Sequence, residues 1–245
     1  MHHEKICIAV DGEHIDGTFA VPRTGVPGVL FLHGWTGSQQ GDLKRAKAIA
    51  ELGCVCLTFD LRGHAATEAM RMSVTPRQNL HDAVAAYDAL AGHPLVDRKS
   101  MAVIGSSYGA YLATILSSFR PVRWLSLRVP ALYRDEHWAL AKGQLDRLDL
   151  TTYRNSQVGP DDNRALAACS RFEGDVLAIE SEHDDLVPHT TVANYVAAFR
   201  NARSLTYRVI EGADHALSEK EFREAYSTLL LGWFREMVLG ARGSS

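Results

Sequence analysis

Gly105-Ser106-Ser107-Tyr108-Gly109 stands between two apolar segments of different periodicity. Ahead of it, Met101-Ala102-Val103-Ile104 is a short apolar run, partly β-branched and bounded by Arg98-Lys99-Ser100, which reads as a buried strand. Behind it, Tyr111, Leu112, Ile115, Leu116 and Phe119 recur at helical spacing, with Ala110 and Ala113 between them. A strand, a tight turn and a helix form the setting in which G-x-S-x-G becomes a nucleophile elbow rather than a Gly/Ser-rich loop. The glycines relieve crowding where the helix passes the strand. Ser107 is thereby placed at a helix N-terminus, where free N–H groups favour negative charge.

Working outward, Ile6–Val10 and His14–Val21 read as two strands joined across Asp11-Gly12, a hairpin signal, and Pro22–Pro27 reads as a loop. Gly28–Leu32 and Cys54–Phe59 are continuous apolar runs, as expected of strands covered on both faces. Between them Leu43, Ala46, Ile49 and Ala50 mark an amphipathic helix that stops by Gly53. Thr75-Pro76-Arg77-Gln78 predicts a capped helix start, and Gly92-His93-Pro94 its end. Arg123–Val129, Asp175–Glu180 and Leu205–Ile210 read as further strands, with a helix over about His189–Phe199. Ser218-Glu219-Lys220-Glu221 predicts a capping box opening a last helix. Residues 131–171 break this rhythm: polar, without a clear strand, they read as a small helical cap inserted into a single domain spanning 1–245. Strands alternating with helices after a hairpin imply an α/β fold: a mostly parallel twisted sheet with an antiparallel N-terminal edge and helices on both faces.

Composition narrows the function. The chain has 245 residues, 46% hydrophobic and 22% charged, with a formal net charge of −3. No basic run exceeds two residues, which argues against nucleic acid as a partner, and no apolar stretch approaches membrane-spanning length. The first residues lack an apolar signal core, and Cys7, Cys54, Cys56 and Cys169 have no metal-ligand or C-x-x-C spacing, so free thiols in the cytoplasm are expected.

A serine hydroxyl needs a base, and the base needs an orienting acid. In an open parallel sheet both should lie at the C-terminal ends of later strands. His215, in Gly212-Ala213-Asp214-His215, is the base expected there. Glu182, Asp184, Asp185 and Asp214 are the nearby carboxylates; Asp214 adjoins His215 and would have to fold back on it, Asp135 is a minor alternative, and spacing favours Asp184. Backbone N–H groups of Tyr108 and of Trp35, in Leu32-His33-Gly34-Trp35, are the expected oxyanion donors.

These segments together resemble the α/β-hydrolase superfamily, and within it the dienelactone-hydrolase-like and serine hydrolase (esterase) branch. The matching residues are Phe31–Trp35, Phe59–His64, Gly105–Gly109, Asp184–Pro188 and Gly212–His215, in the order typical of that superfamily. The resemblance implies an acid four positions before Pro188, which is Asp184. It also implies a loop-building role for Arg62 and His64. Dienelactone hydrolase uses a Cys nucleophile where this chain has Ser107, which favours ordinary ester hydrolysis.

The resulting expectation is a serine hydrolase acting on small-molecule carboxylic esters through an acyl-enzyme, with Ser107, His215 and Asp184 as triad and no cofactor or metal. A peptidase or amidase with the same triad, or a non-catalytic ligand-binding relative, are the alternatives; the second would be expected to have lost a triad member, and none is missing. Tyr133, Trp138 and Tyr153 are candidates either to wall an acyl or alcohol pocket or, equally, to pack the cap onto the domain. Arg128, a charge inside an apolar strand, is either ion-paired structurally, the favoured reading, or poised for a substrate carboxylate.

Overall fold

The computed structural model describes residues 2–21 and 27–242. The hairpin signalled by Asp11-Gly12 joins β1 (His2–Val10) to β2 (Glu13–Val21), antiparallel, with φ of 50° at Asp11 and 81° at Gly12. Two consecutive positive φ values are what a two-residue hairpin turn with the twist of its strands demands. Apart from Pro27, the loop expected at Pro22–Pro27 lies outside the described residues.

Six further strands follow: β3 (Pro27–Leu32), β4 (Val55–Phe59), β5 (Asp97–Ser106), β6 (Trp124–Arg128), β7 (Asp175–His183) and β8 (Ser204–Asp214). They complete one sheet in the order β1-β2-β4-β3-β5-β6-β7-β8, in which β2 pairs antiparallel with β4 and every later pairing is parallel. The helices are α1 (Gln40–Ala50), α2 (Pro76–Ala91), α3 (Tyr108–Leu116), α4 (Arg147–Arg154), α5 (Arg164–Arg171), α6 (His189–Ala198) and α7 (Lys220–Arg242).

Apolar residues continue without alternation along β3 and β5 because both faces of the sheet are covered. Val29, Phe31, Ala102 and Ile104 pack with Ala46, Ile49, Tyr226, Leu230 and Phe234 of α1 and α7. The alternate residues Leu30, Leu32, Met101 and Val103 pack with Leu80, Ala83, Tyr87, Leu112 and Leu116 of α2 and α3. A period of two thus divides one apolar run between two cores.

The caps divide into one expectation met and one corrected. At α2 the Thr75 hydroxyl accepts from the Gln78 amide at 3.3 Å while the Gln78 side chain accepts from the Thr75 amide at 2.9 Å. At α7 no such box forms: the Ser218 hydroxyl donates to Asp214 Oδ2 at 2.5 Å, its amide donates to Asp214 Oδ1 at 2.8 Å, and the helix begins at Lys220. Ser218 is instead bound twice to Asp214 on the preceding turn, a local Asp–Ser pairing that holds it in the loop before the helix.

Between β6 and β7 the chain makes two 3₁₀ turns, Asp135–Ala139 and Lys142–Gln144, followed by α4 and α5. Asp146 caps α4 through the Asp149 amide at 2.8 Å, and Asn163 caps α5 through the Ala165 amide at 2.9 Å. The Asn163 side chain also donates to the Tyr133 carbonyl and the Tyr153 hydroxyl, tying this segment to the strand ends. Tyr153 is accordingly buried packing rather than a free wall. No helix among the described residues is long and apolar enough to cross a membrane.

Candidate active site

Ser107 follows the last residue of β5 and precedes α3, with φ 53° and ψ −113°. A non-glycine residue in this region is strained and persists only where its surroundings fix it. Here its amide donates to the Arg128 carbonyl at 2.8 Å, and its carbonyl accepts from the amides of Ala110, Tyr111 and Ala131 at 3.1 Å each. The glycines on either side are obligatory for a steric reason. A Cβ on Gly109 would lie 2.1 Å from the Leu32 carbonyl oxygen, and one on Gly105 would lie 2.5 Å from the Ala110 Cα. Helix and strand therefore pass at backbone contact, and Tyr108 opens α3 with an N–H that has no partner within the helix.

Trp35 lies in the turn after β3, closed by Gly37 N–H donating to the Gly34 carbonyl at 2.9 Å, with φ 68° at Thr36. A Cβ on Gly34 would stand 3.4 Å from the Ser107 Cβ, so this loop abuts the elbow. The Trp35 indole meets the Tyr108 ring edge-on at 5.4 Å and the His64 ring at 4.9 Å. Both histidines behind the loop are neutralised by burial: desolvation lowers His33, and desolvation together with His33 lowers His64 to about 4. Arg62, 2% exposed, is locked to Asp82 at 2.5 Å, a partner that is itself fully buried. Arg62 and His64 thus build the loop beneath the site.

His215 leaves the end of β8, and its Nδ1 lies 2.7 Å from Oδ2 of Asp184, whose side chain is 2% exposed. The other carboxylate oxygen of Asp184 accepts from the amides of Leu186 and Val187 at 2.8 and 2.7 Å. A carboxylate held on both oxygens can accept only, so Nδ1 carries the proton and Nε2 is left with its lone pair. The competing carboxylates have other engagements. Glu182 accepts from the Gly212 amide, Asp214 from Ser218, and Asp135 pairs with Arg164, while Asp185 is exposed.

Ser107 and His215 line two cavities. The larger, about 690 Å³, lies under the β6–β7 segment, with Trp35, Tyr133, Lys142, Arg154 and Asp185 in its walls. The smaller, about 370 Å³, lies toward α1 and α7 and includes Arg45, Arg128, Arg223 and Tyr226. Tyr133 is therefore where a pocket wall was expected. Trp138 is not: it lines a separate surface hollow with Asp11, Leu80 and Phe119, its indole 4.3 Å from the Arg164 guanidinium. The 3₁₀ turn at Asp135–Ala139 folds back on α2 and carries the indole away from Ser107. Arg128 stands in the smaller cavity without the structural ion pair favoured for it: among the described residues its hydrogen-bond partners are the His215 carbonyl at 2.9 Å and, at 3.4 Å, the Ser106 hydroxyl.

Lys142 and Arg154 belong to no motif and have no sequence signal beyond their charge. Lys142 Nζ lies 4.2 Å from the Trp35 ring centre and 5.5 and 5.6 Å from those of Tyr108 and Tyr133. Burial, and secondarily the charge of Arg154, push its amine down to about 7. The Arg154 guanidinium stacks 5.0 Å from the Tyr133 ring and donates to the carbonyls of Leu132 and Leu186.

The model of the prolyl oligopeptidase family matches residues 42–240. The chain belongs to that family. With it comes membership of the serine-hydrolase superfamily. An uncharacterized protein of Mycobacterium tuberculosis is 30% identical over 210 residues, covering 84% of this chain and 69% of its own length. Two solved structures share the α/β-hydrolase fold. Dienelactone hydrolase from Anabaena variabilis matches with a TM-score of 0.70 at 18% identity, over 96% of this chain and 97% of that one. Acylaminoacyl peptidase from Pyrococcus horikoshii matches with a TM-score of 0.71 at 14% identity, over 95% of this chain but 41% of that one. At such identities the likeness concerns the fold, and one fold serves ester and peptide bonds alike. Within the prolyl oligopeptidase family, the pentapeptide at Ser107 and the loops carrying Asp184 and His215 fall inside the matched span, whereas Trp35 precedes it.

Proposed function

We propose that this hydrolase cleaves carboxylic esters of small molecules through an acyl-enzyme on Ser107. The observation that carries the reading is His215 Nδ1 at 2.7 Å from the doubly held, buried carboxylate of Asp184, on a ring that shares its cavities with a strained elbow serine. His215 Nε2 takes the Ser107 proton as Oγ attacks the ester carbonyl. The tetrahedral oxyanion is held by the backbone N–H groups of Trp35 and Tyr108. Collapse returns the proton to the departing alcohol and leaves the acyl group on Oγ. Water, deprotonated by His215, then attacks the acyl carbonyl, and the second collapse frees the carboxylic acid and restores Ser107. Asp184 fixes the tautomer of His215 and stabilises its imidazolium. The segment 131–171 acts as a cap, with Tyr133, Lys142 and Arg154 shaping the acyl or alcohol pocket.

The family match favours peptide or amide bonds as a second reading. The larger cavity supports esters over peptides with a free amino terminus: Arg147 and Arg154 face a single carboxylate, Asp185, and the buried Lys142 adds no negative charge, so an ammonium would find no net attraction. Turnover of 4-nitrophenyl acetate and butyrate beside alanyl and prolyl 4-nitroanilides separates the two. Ester turnover exceeding anilide turnover by a hundredfold or more agrees with the reading, and the reverse order replaces it with a peptidase.

A further inference from the structure

The cavity of about 370 Å³ on the α1/α7 side of Ser107 has three arginines in its wall, Arg45, Arg128 and Arg223, and one carboxylate, Asp42. Asp42 is taken, accepting from Arg45 at 2.8 Å. Arg223 is exposed and donates to the carbonyls of Leu217 and Ser218. Arg128 is 8% exposed and has no carboxylate within ion-pair distance among the described residues. It has one good acceptor, the His215 carbonyl at 2.9 Å, and a long contact of 3.4 Å to the Ser106 hydroxyl. Asp184 and Asp42 attract it only from farther off, and Arg45 repels it. Next to it, the buried Tyr226 hydroxyl has the Ser106 hydroxyl as neighbour but no well-formed hydrogen bond. The guanidinium groups of Arg45 and Arg128 each lie over the Tyr226 ring, 5.0 and 5.6 Å from its centre.

A buried guanidinium without a counter-ion is expensive, and a helix-packed wall could have held a leucine in its place. The cost is offset if a ligand supplies the charge, and the planar fork of arginine suits an oxyanion with two accepting atoms. We propose that this cavity is the subsite for an anionic oxygen group carried by the substrate, a carboxylate or a phosphate, gripped by Arg128 and the Tyr226 hydroxyl with Arg45 and Arg223 flanking. The inference rests on the hydrolase reading above and gives it a substrate class: esters in which a negative group lies a few bonds from the scissile carbonyl. Since Ser107 and His215 line the same cavity, a carbonyl on Ser107 leaves only a short span for that linkage.

The test compares the 4-nitrophenyl monoester of adipic acid with its neutral methyl ester at constant ionic strength, in the intact chain and in Arg128→Gln and Arg223→Gln. The quantity read is the ratio of kcat/KM for the charged over the neutral ester, so that a general loss cancels. A ratio of roughly ten- to a hundredfold, the size of a charge-assisted hydrogen bond, is expected for the intact enzyme, collapsing toward one in Arg128→Gln and falling partway in Arg223→Gln. If Arg128 served only as a strut for His215, both esters would lose equally and the ratio would stay, which overturns the inference. So does a ratio near one in the unmodified enzyme. Calorimetric titration with inorganic phosphate and with adipate tells the two oxygen groups apart and does not depend on turnover. Should Ser107 fail to react with any ester, the hydrolase reading falls by itself. The titration then decides the cavity: binding lost in Arg128→Gln upholds the anion site, and no binding of either anion overturns it.

Discussion

The carboxyl ends of the strands and the segment between β6 and β7 face each other across Ser107, and they are built on opposite terms. At the strand ends each group is over-determined. Three amides converge on the Ser107 carbonyl, two amides and a histidine hold Asp184, and no Cβ fits at Gly109. Across the cavity, short 3₁₀ turns and the eight-residue helices α4 and α5 present Lys142 and Arg154, cations held by ring faces and carbonyls instead of carboxylates. On the proposed mechanism the difference teaches a division of labour: backbone packing would fix the reacting geometry, and side chains that can change without disturbing it would select the substrate.

The largest effects should come from the strand-end side. Ser107→Ala and His215→Ala are each expected to lower kcat on an activated ester by about a millionfold, with thermal melting unchanged, as read by stopped-flow absorbance and calorimetry. Asp184→Asn should cost on the order of ten-thousandfold, because the ring then loses its fixed tautomer. Asp185→Asn, one position away, leaves the contact of Asp184 with His215 intact and should lower kcat far less than Asp184→Asn, any effect appearing in KM because Asp185 lines the larger cavity; equal losses of kcat at the two positions would erase the distinction between the two aspartates. Gly109→Ala probes packing rather than chemistry, and should destabilise by more than about 4 kcal/mol in denaturant unfolding.

Changes across the cavity should be smaller and of another kind. Lys142→Met is expected to move KM about tenfold while leaving kcat within a few-fold, the pattern of lost binding. It should also alter the pH dependence of stability. The folded amine sits at about 7 against an ordinary 10.5, so between those values the unfolded chain holds a proton that the folded chain has shed. Stability of the parent therefore rises with pH through that window, and Lys142→Met, compared by melting at pH 6 and pH 10, should remove that part of the rise. The least effect is expected from His64. Held at about 4 against 6.5, it is bound by a proton in the unfolded chain first, so stability falls as pH drops from 6.5 toward 4. His64→Gln should flatten that slope in acid titrations followed by tryptophan fluorescence.

Much of the strand-end side was legible in the sequence because it rests on local rules. Asp11-Gly12 demands a hairpin, Thr75-Pro76-Arg77-Gln78 a capped start, and unbroken apolar runs such as Gly28–Leu32 a sheet covered on both faces. The pairing of Asp184 with His215 follows from strand-end logic, with spacing favouring Asp184 over its neighbour and the superfamily resemblance strengthening that choice. What was not legible depends on long-range placement. Trp138 looked like a pocket wall by composition, yet a single 3₁₀ turn sends it to another surface. Lys142 and Arg154 carry no spacing rule, and only the fold brings them over the rings of Trp35 and Tyr133. Ser218-Glu219-Lys220-Glu221 fits a capping box by sequence, but the pattern does not register Asp214 on the preceding turn, to which Ser218 is bound.

The most direct test of the central claim, that Ser107 is a nucleophile activated by a His215 oriented on Asp184, is reaction of the intact chain with a fluorophosphonate followed by mass spectrometry of the labelled peptide. The account predicts one phosphonate per chain, on Ser107, with the rate of labelling reduced by orders of magnitude in His215→Ala. Absence of label on the folded protein, label on a different residue, or labelling of Ser107 at an undiminished rate without His215 would contradict it.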